Sequence, residues 1–214
     1  MCFNDTNYAF LERFLREHFG ERGEAIFAAA EENFAELIAD ADYCSSRAIK
    51  IHMDRTMLPI IAVYKALLSS NFSKADAYES VLMISQTAAI KFQKNYHSLV
   101  KIPFTYQIFK LFCKSFMNKN YPKEGWIINW KRYDKDEISF DMKTCVYHET
   151  CQKYGCPELC KVFCANDTTT FAGLMPKIIF ERHKTIGKGD KVCDFHFRKG
   201  KKIKEKIVKV PDRW

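Results

Sequence analysis

Glycine and proline are scarce, at 8 and 6 of 214 residues, which excludes collagen-like and low-complexity architectures. Long hydrophobic runs are missing as well. The longest apolar stretch, Leu58-Pro59-Ile60-Ile61-Ala62-Val63-Tyr64, falls far short of the roughly 18–20 residues a bilayer demands. The first residues, Met1-Cys2-Phe3-Asn4-Asp5, show no basic segment leading into an apolar one, so secretion is not expected. Nine cysteines is an odd number, and a chain of this size needs no disulfide staples. Reduced thiols and a cytoplasmic setting are therefore expected. What the chain has in quantity is core material: 18 Phe, 10 Tyr and 3 Trp rule out disorder over most of the length. With 47% hydrophobic and 28% charged residues it reads as one globular domain over 1–214, mainly helical over 1–118 and sheet-containing over 119–214.

The net charge of +8 is unevenly placed. From Lys184 to Trp214 eleven basic residues face four acids, a balance of +7, so the rest of the chain is nearly neutral. No aromatic residue interleaves with Lys201–Lys209, which removes the stacking platform that single-stranded nucleic acid requires. A solvated basic tail is the simpler reading, and a nucleic-acid partner is not expected. Neither is a membrane partner. The sequence leaves a homodimer as an open expectation.

Hydrophobic spacing divides the chain into two chemistries. Tyr8, Leu11, Phe14 and Leu15 mark one helical face, and Ile26, Ala30, Phe34, Leu37 and Ile38 a second, with Gly20 and Gly23 as punctuation between them. A third helix is predicted from Ser46 to Leu68, kinked or divided at Pro59. Ser73 is a candidate N-cap for a fourth, carrying Ala77, Val81, Ile84 and Ala88. The fifth, from about Pro103 to Met117, presents Phe104, Ile108, Leu111 and Phe112 as its apolar face. After Tyr121-Pro122 the pattern turns β-rich. Trp126–Trp130 and Ile138–Lys143 flank the turn residues 133–137 as a hairpin, and Lys177–Thr185 with Lys191–Arg198 form another. Short helices from about His148 to Leu174 lie between them. The expected fold is α+β, an N-terminal helical layer packed on a C-terminal antiparallel sheet of two hairpins.

Chemistry-bearing residues concentrate in that second half. Cys156, Cys160 and Cys164 recur every four residues and form one helical stripe, either as small core hydrophobes or facing a cavity. Cys145-x-x-His148-x-x-Cys151, with Cys156 as a fourth candidate, has zinc-ligand residue types but lacks paired C-x-x-C ribbons, and no metal is expected. On the last strand Cys193, Phe195 and Phe197 share one face, while Asp194 and His196 turn to the other, toward solvent or a site. Arg182 shares a face with Ile178 and Phe180. A cation so placed needs a carboxylate, from a ligand or from the chain, where Asp167 is the internal candidate.

These residues carry a resemblance. Cys145, Tyr154-Gly155-x-Pro157-Glu158-Leu159, Cys164-x-x-Asp167, Arg182-x-x-Thr185 and Gly189-Asp190-x-x-Cys193-Asp194-Phe195-x-Phe197 resemble the 2-amino-thiazoline-4-carboxylate hydrolase family over about Trp126 to Arg198. Cys151, Cys156 and Cys160 stand outside that pattern. The resemblance implies opening of a cyclic amidine to N-carbamoyl-cysteine, taken as carbon–nitrogen hydrolysis, with a small carboxylate substrate and no cofactor. It implies Cys164, Asp167, Asp194 and Cys193 as catalytic candidates, and Arg182, Thr185, Cys145 and Tyr154 as substrate-binding ones. Asp167 or Asp194 would act as general base and acid. Alternatively Cys164 or Cys193 would be a nucleophile activated by His148 or His196. The last block also resembles 4-vinyl reductase-type binding domains, which leaves a non-enzymatic ligand-binding module as the second reading.

Overall fold

The computed structural model describes residues 1–200, and the basic segment 201–209 lies outside them. The helical layer runs α1 (Leu11–Phe19), α2 (Glu21–Asp40), α3 (Arg47–His52), α4 (Leu58–Ser69), α5 (Lys74–Leu99) and α6 (Thr105–Asn120). Ser73 caps α5 as expected, and Ser46 caps α3 as well, their hydroxyls accepting from the amides of Asp76 and Ile49. The stretch from Ser46 to Leu68 is divided ahead of Pro59. A π-type turn, Met53–Met57, separates α3 from α4 and leaves Pro59 in the first turn of α4, where a missing amide costs little.

Two expectations for this layer are corrected by packing. Gly20 does end α1, at φ 57°, but Gly23 lies inside α2. A Cβ there would collide with the Leu15 carbonyl oxygen, so Gly23 is what lets α1 and α2 approach. Gly23→Ala is expected to destabilise the protein by about 1–3 kcal/mol, the range for overpacking a tight contact, read from the denaturant midpoint. The predicted face of the fifth helix is also turned over. Thr105, Tyr106, Cys113 and Met117 are the buried positions of α6, whereas Phe104, Leu111 and Phe112 are 75%, 74% and 60% exposed. A narrow stripe seats the helix, and its richer apolar stripe faces outward.

The second half is built as expected, from β1 (Ile128–Tyr133), β2 (Glu137–Met142), α7 (Val146–Lys153), α8 (Cys160–Phe171), β3 (Ile178–Glu181) and β4 (Cys193–Lys199). The strands form one antiparallel sheet in the order β1-β2-β4-β3, with Phe140 opposite Phe195 and Ile138 opposite Phe197. Its inner face is aromatic. Phe140 stacks on Phe195 at 5.1 Å, and Phe171 of α8 and Phe109 of α6 close over Phe197 at 5.0 and 5.1 Å. The outer face is an ion-pair ladder, including Glu137 with His196 and Arg132, both at 2.9 Å. Alternation thus separates a dry face from a wet one.

Helix α8 is pinned to α5 by a polar staple. Gln86 donates to Asn166 at 2.9 Å, Asn166 donates to Ser85 at 2.7 Å, and Thr169 donates to Gln86. The staple holds α8 in front of the inner sheet face without filling the space between them. That space is the cavity described next.

Candidate functional site

A cavity of about 890 Å³ lies between the inner sheet face, α8, α5 and α6. Its ionic end is built by Arg182, the residue following β3, and Asp167 on α8. The Arg182 Nη1 donates to Asp167 Oδ2 at 2.6 Å, and Nη2 donates to the carbonyl oxygen of Cys164. The guanidinium carbon lies 5.2 Å from the Phe195 ring centre and 5.9 Å from that of Phe180. The carboxylate that Arg182 needs is therefore supplied by the chain itself. Arg182 keeps 6% of its side-chain surface exposed, whereas Asp167 keeps 38%, all of it on a residue that lines the cavity. Asp167 Oδ1 makes no hydrogen bond among the described residues.

The electrostatics of this end follow from burial. Desolvation raises the Asp167 carboxyl above the ordinary carboxylate value, with Arg182 pulling against it. Burial, reinforced by the Asp167 charge, keeps the phenols of Tyr96, Tyr121 and Tyr147 protonated. Cys164 is set apart from the other thiols. A hydrogen bond from the Cys160 thiol and the nearby Arg182 charge lower it against the pull of desolvation, while Cys160 is raised. Arg182 breaks the symmetry of this pair, so the lowering falls on Cys164. Desolvation pushes the thiols of the half-buried Cys145 and the buried Cys193 up to about 12 and about 11.

The stripe of cysteines thus divides. Cys156 and Cys160 are buried core residues, and Cys164 is half-buried and opens on the cavity. Cys145, Cys164, Asp167, Arg182 and Cys193 line one cavity; Tyr154, Thr185 and Asp194 are not among its lining residues. Cys193 sits on the inner face beside Phe195, its sulfur accepting from the Ile186 amide at 3.2 Å. Asp194 points the opposite way. Its Oδ1 accepts from the amides of His183 at 2.9 Å and Lys184 at 2.5 Å, and Oδ2 lies 3.4 Å from His196 Nε2. Burial opposes its charge, but the Lys184 and His183 amides keep its carboxyl below the usual range. Asp194 closes the loop between β3 and β4. Asp194→Ala is expected to cost about 1–3 kcal/mol of stability by leaving amides unpaired, and to leave ligand affinity at the cavity unchanged in calorimetry.

Thr185 is buried, and its hydroxyl finds no partner among the described residues. Tyr154 reaches the Leu37 carbonyl at 3.5 Å and holds α7 against α2. Neither His148 nor His196 lines the cavity, so the structure does not supply the imidazole activation expected for Cys164 or Cys193. The imidazole at the cavity wall is His52 of α3, which sequence reasoning missed. Its Nε2 faces the Asn120 carbonyl at 3.0 Å and its Nδ1 faces the Tyr147 hydroxyl at 2.8 Å. A carbonyl only accepts, so Nε2 carries the proton, and burial lowers the ring toward neutrality. Nδ1 then accepts from Tyr147. A lone His on an otherwise unremarkable helix gives no signal before the chain is folded. Among the described residues no group of three or more His, Cys, Asp or Glu is placed to hold a metal ion, and no helix is long and apolar enough to cross a membrane.

Comparison with known proteins bears on the same region. A family model described as L-2-amino-thiazoline-4-carboxylic acid hydrolase matches residues 50–197, starting within α3 rather than at Trp126. No curated protein matches. Among solved structures, the Fe(II) unliganded H-NOX protein from K. algicida aligns at 12% identity over 95% of this chain and 98% of its own, with a TM-score of 0.36. A mutant form of that H-NOX protein aligns at 10% identity with the same coverage and TM-score.

Proposed function

The chain belongs to the L-2-amino-thiazoline-4-carboxylic acid hydrolase family, and from that premise we propose that it opens a cyclic isothiourea of the 2-amino-thiazoline type with water. One observation carries the reading: an Arg182–Asp167 pair in the matched region, its arginine buried and its carboxylate Oδ1 without a hydrogen-bond partner among the described residues, on the wall of the cavity. The amidine of such a ring is a planar set of N–H donors, which is what an acceptor-only carboxylate oxygen recognises. Arg182 fixes Asp167 in place and offers its remaining N–H groups to the ring carboxylate.

Asp167 then takes a proton from water as the oxygen adds to the carbon between nitrogen and sulfur. A carboxyl raised by burial is suited to that work near neutral pH. Atom balance places the bond that breaks at carbon–sulfur: cleaving it leaves N-carbamoyl-cysteine, whereas carbon–nitrogen cleavage would leave the S-carbamoyl isomer. The proton held by Asp167 goes to the departing sulfur, which restores the carboxylate. The adduct's hydroxyl proton leaves to solvent as the carbamoyl C=O forms, balancing the proton the amidinium brought.

A thiolate route through Cys164 rests on the lowered pKa of a thiol that opens on the cavity. The water route predicts that Cys164→Ala keeps turnover within a few fold of wild type. The test of function is direct. Purified protein incubated with 2-amino-thiazoline-4-carboxylate should release one thiol per ring and a product of N-carbamoyl-cysteine mass. Tight binding without product would favour the non-enzymatic ligand-binding module instead.

A further inference from the structure

The cavity is too large for the ring alone. 2-Amino-thiazoline-4-carboxylate has about nine non-hydrogen atoms, and even at the roughly 30 Å³ that a liquid water occupies these need about 270 Å³. The space available is about 890 Å³. Its charged side chains lie at two places. One is the Arg182–Asp167 end; the other is a rim of Asn7, Arg55, Thr56 and Asn95, where Asn7 already donates to Thr56 at 2.9 Å. Other polar lining residues, such as His52, Tyr147 and Asn166, are hydrogen-bonded within the chain. The remaining wall is dominated by apolar side chains, including Ala88, Ala89, Leu99, Ile102, Phe109 and Phe112. Its apolar lining reaches the surface just before α6 and on α6 itself, where Ile102 is 43% and Phe112 60% exposed. An unfilled apolar wall of this extent is the ordinary signature of an apolar ligand.

Building on the isothiourea reading above, we propose that the substrate is an amphiphile: an isothiourea-type head held at Asp167, joined to an apolar body that fills the cavity along α5 and α6. The head supplies the donors that Asp167 Oδ1 lacks. The body covers the side chains that the fold leaves open. The small thiazoline is then a head-group substrate, bound weakly because most of the wall gains nothing from it.

S-alkylisothiouronium salts test this, because they keep the head constant while the tail grows. Calorimetry on the full-length protein, below the aggregation concentration of each salt, should show affinity rising about threefold per methylene. From S-ethyl to S-octyl that is on the order of a thousandfold. Ala89→Phe, which fills the wall, and Phe112→Asp, which charges the mouth, should each cut the S-octyl affinity at least tenfold and leave S-ethyl binding unchanged. An affinity independent of chain length in the wild-type protein overturns the proposal, whatever the variants do. So does a full chain-length gain that survives in both variants when they fold, because the tail then lies elsewhere. The head reading fails separately: if octanol binds as tightly as S-octylisothiouronium, the apolar site stands and the isothiourea assignment falls.

Discussion

Asp167→Asn should lower hydrolysis of the thiazoline by a factor of about 10² to 10⁴, the range for removing a general base. The amide is nearly isosteric and can still accept from Arg182, so the folded structure and the cavity should persist. Binding of the head should weaken, because the amide gives up the charge that favours an amidinium. The pH profile supplies a second readout. Desolvation raises the Asp167 carboxyl in the folded protein, so the ascending limb of kcat/KM should lie above the ordinary carboxylate range and vanish in Asp167→Asn. The same shift sets a sign for stability. A carboxyl raised by folding binds more protons in the native state, so its contribution is full below the unfolded pKa and is lost as pH rises through the folded one.

Arg182→Ala should be the most disruptive single change at the site, because it leaves the Asp167 carboxylate at the cavity wall without its cation. Breaking a fully dry pair costs about 3–5 kcal/mol. Asp167, a lining residue of the cavity, keeps 38% of its side-chain surface exposed, so water there softens the penalty, and about 1–3 kcal/mol is expected at neutral pH. The variant should regain stability as pH falls and the stranded carboxylate takes up a proton. Arg182→Lys should rescue poorly, since a point charge cannot hold Asp167 and the Cys164 carbonyl together as the fork does. In a double-mutant cycle, adding Asp167→Asn to Arg182→Ala should cost little further stability, because the two changes remove one interaction.

The hairpins were legible in the sequence because their signal is local. Ile138, Phe140 and Met142 alternate with polar neighbours, and so do Cys193, Phe195 and Phe197, and a period of two leaves little choice of face. The need of Arg182 for a carboxylate was legible for an equally local reason, its apolar strand neighbours, and Asp167 meets it. What could not be read depended on how the elements pack against one another. Gly23 looks like punctuation until Leu15 is placed against it. The outward face of α6 looks like a core face because its apolar residues outnumber the buried stripe that seats it. Alternation already sent Asp194 to the face opposite Cys193, but the two amides of the β3–β4 loop that it holds there could not be read from spacing. His52 and Tyr147 lie 95 positions apart, and no spacing rule joins them.

The central claim is that the chemistry takes place at the Arg182–Asp167 end of this cavity, and Cys164 is a built-in reporter of it. Its sulfur opens on the same space and is the cavity thiol whose pKa is lowered, so iodoacetamide should modify it before Cys145 and Cys193. The measurement is the alkylation rate at each cysteine, read by peptide mass, with and without saturating thiazoline. Occupancy of the site should slow modification of Cys164 at least tenfold and leave the exposed Cys2 and Cys44 unaffected. Turnover of the thiazoline with no protection of Cys164 would contradict the account, because the substrate would then be bound somewhere else.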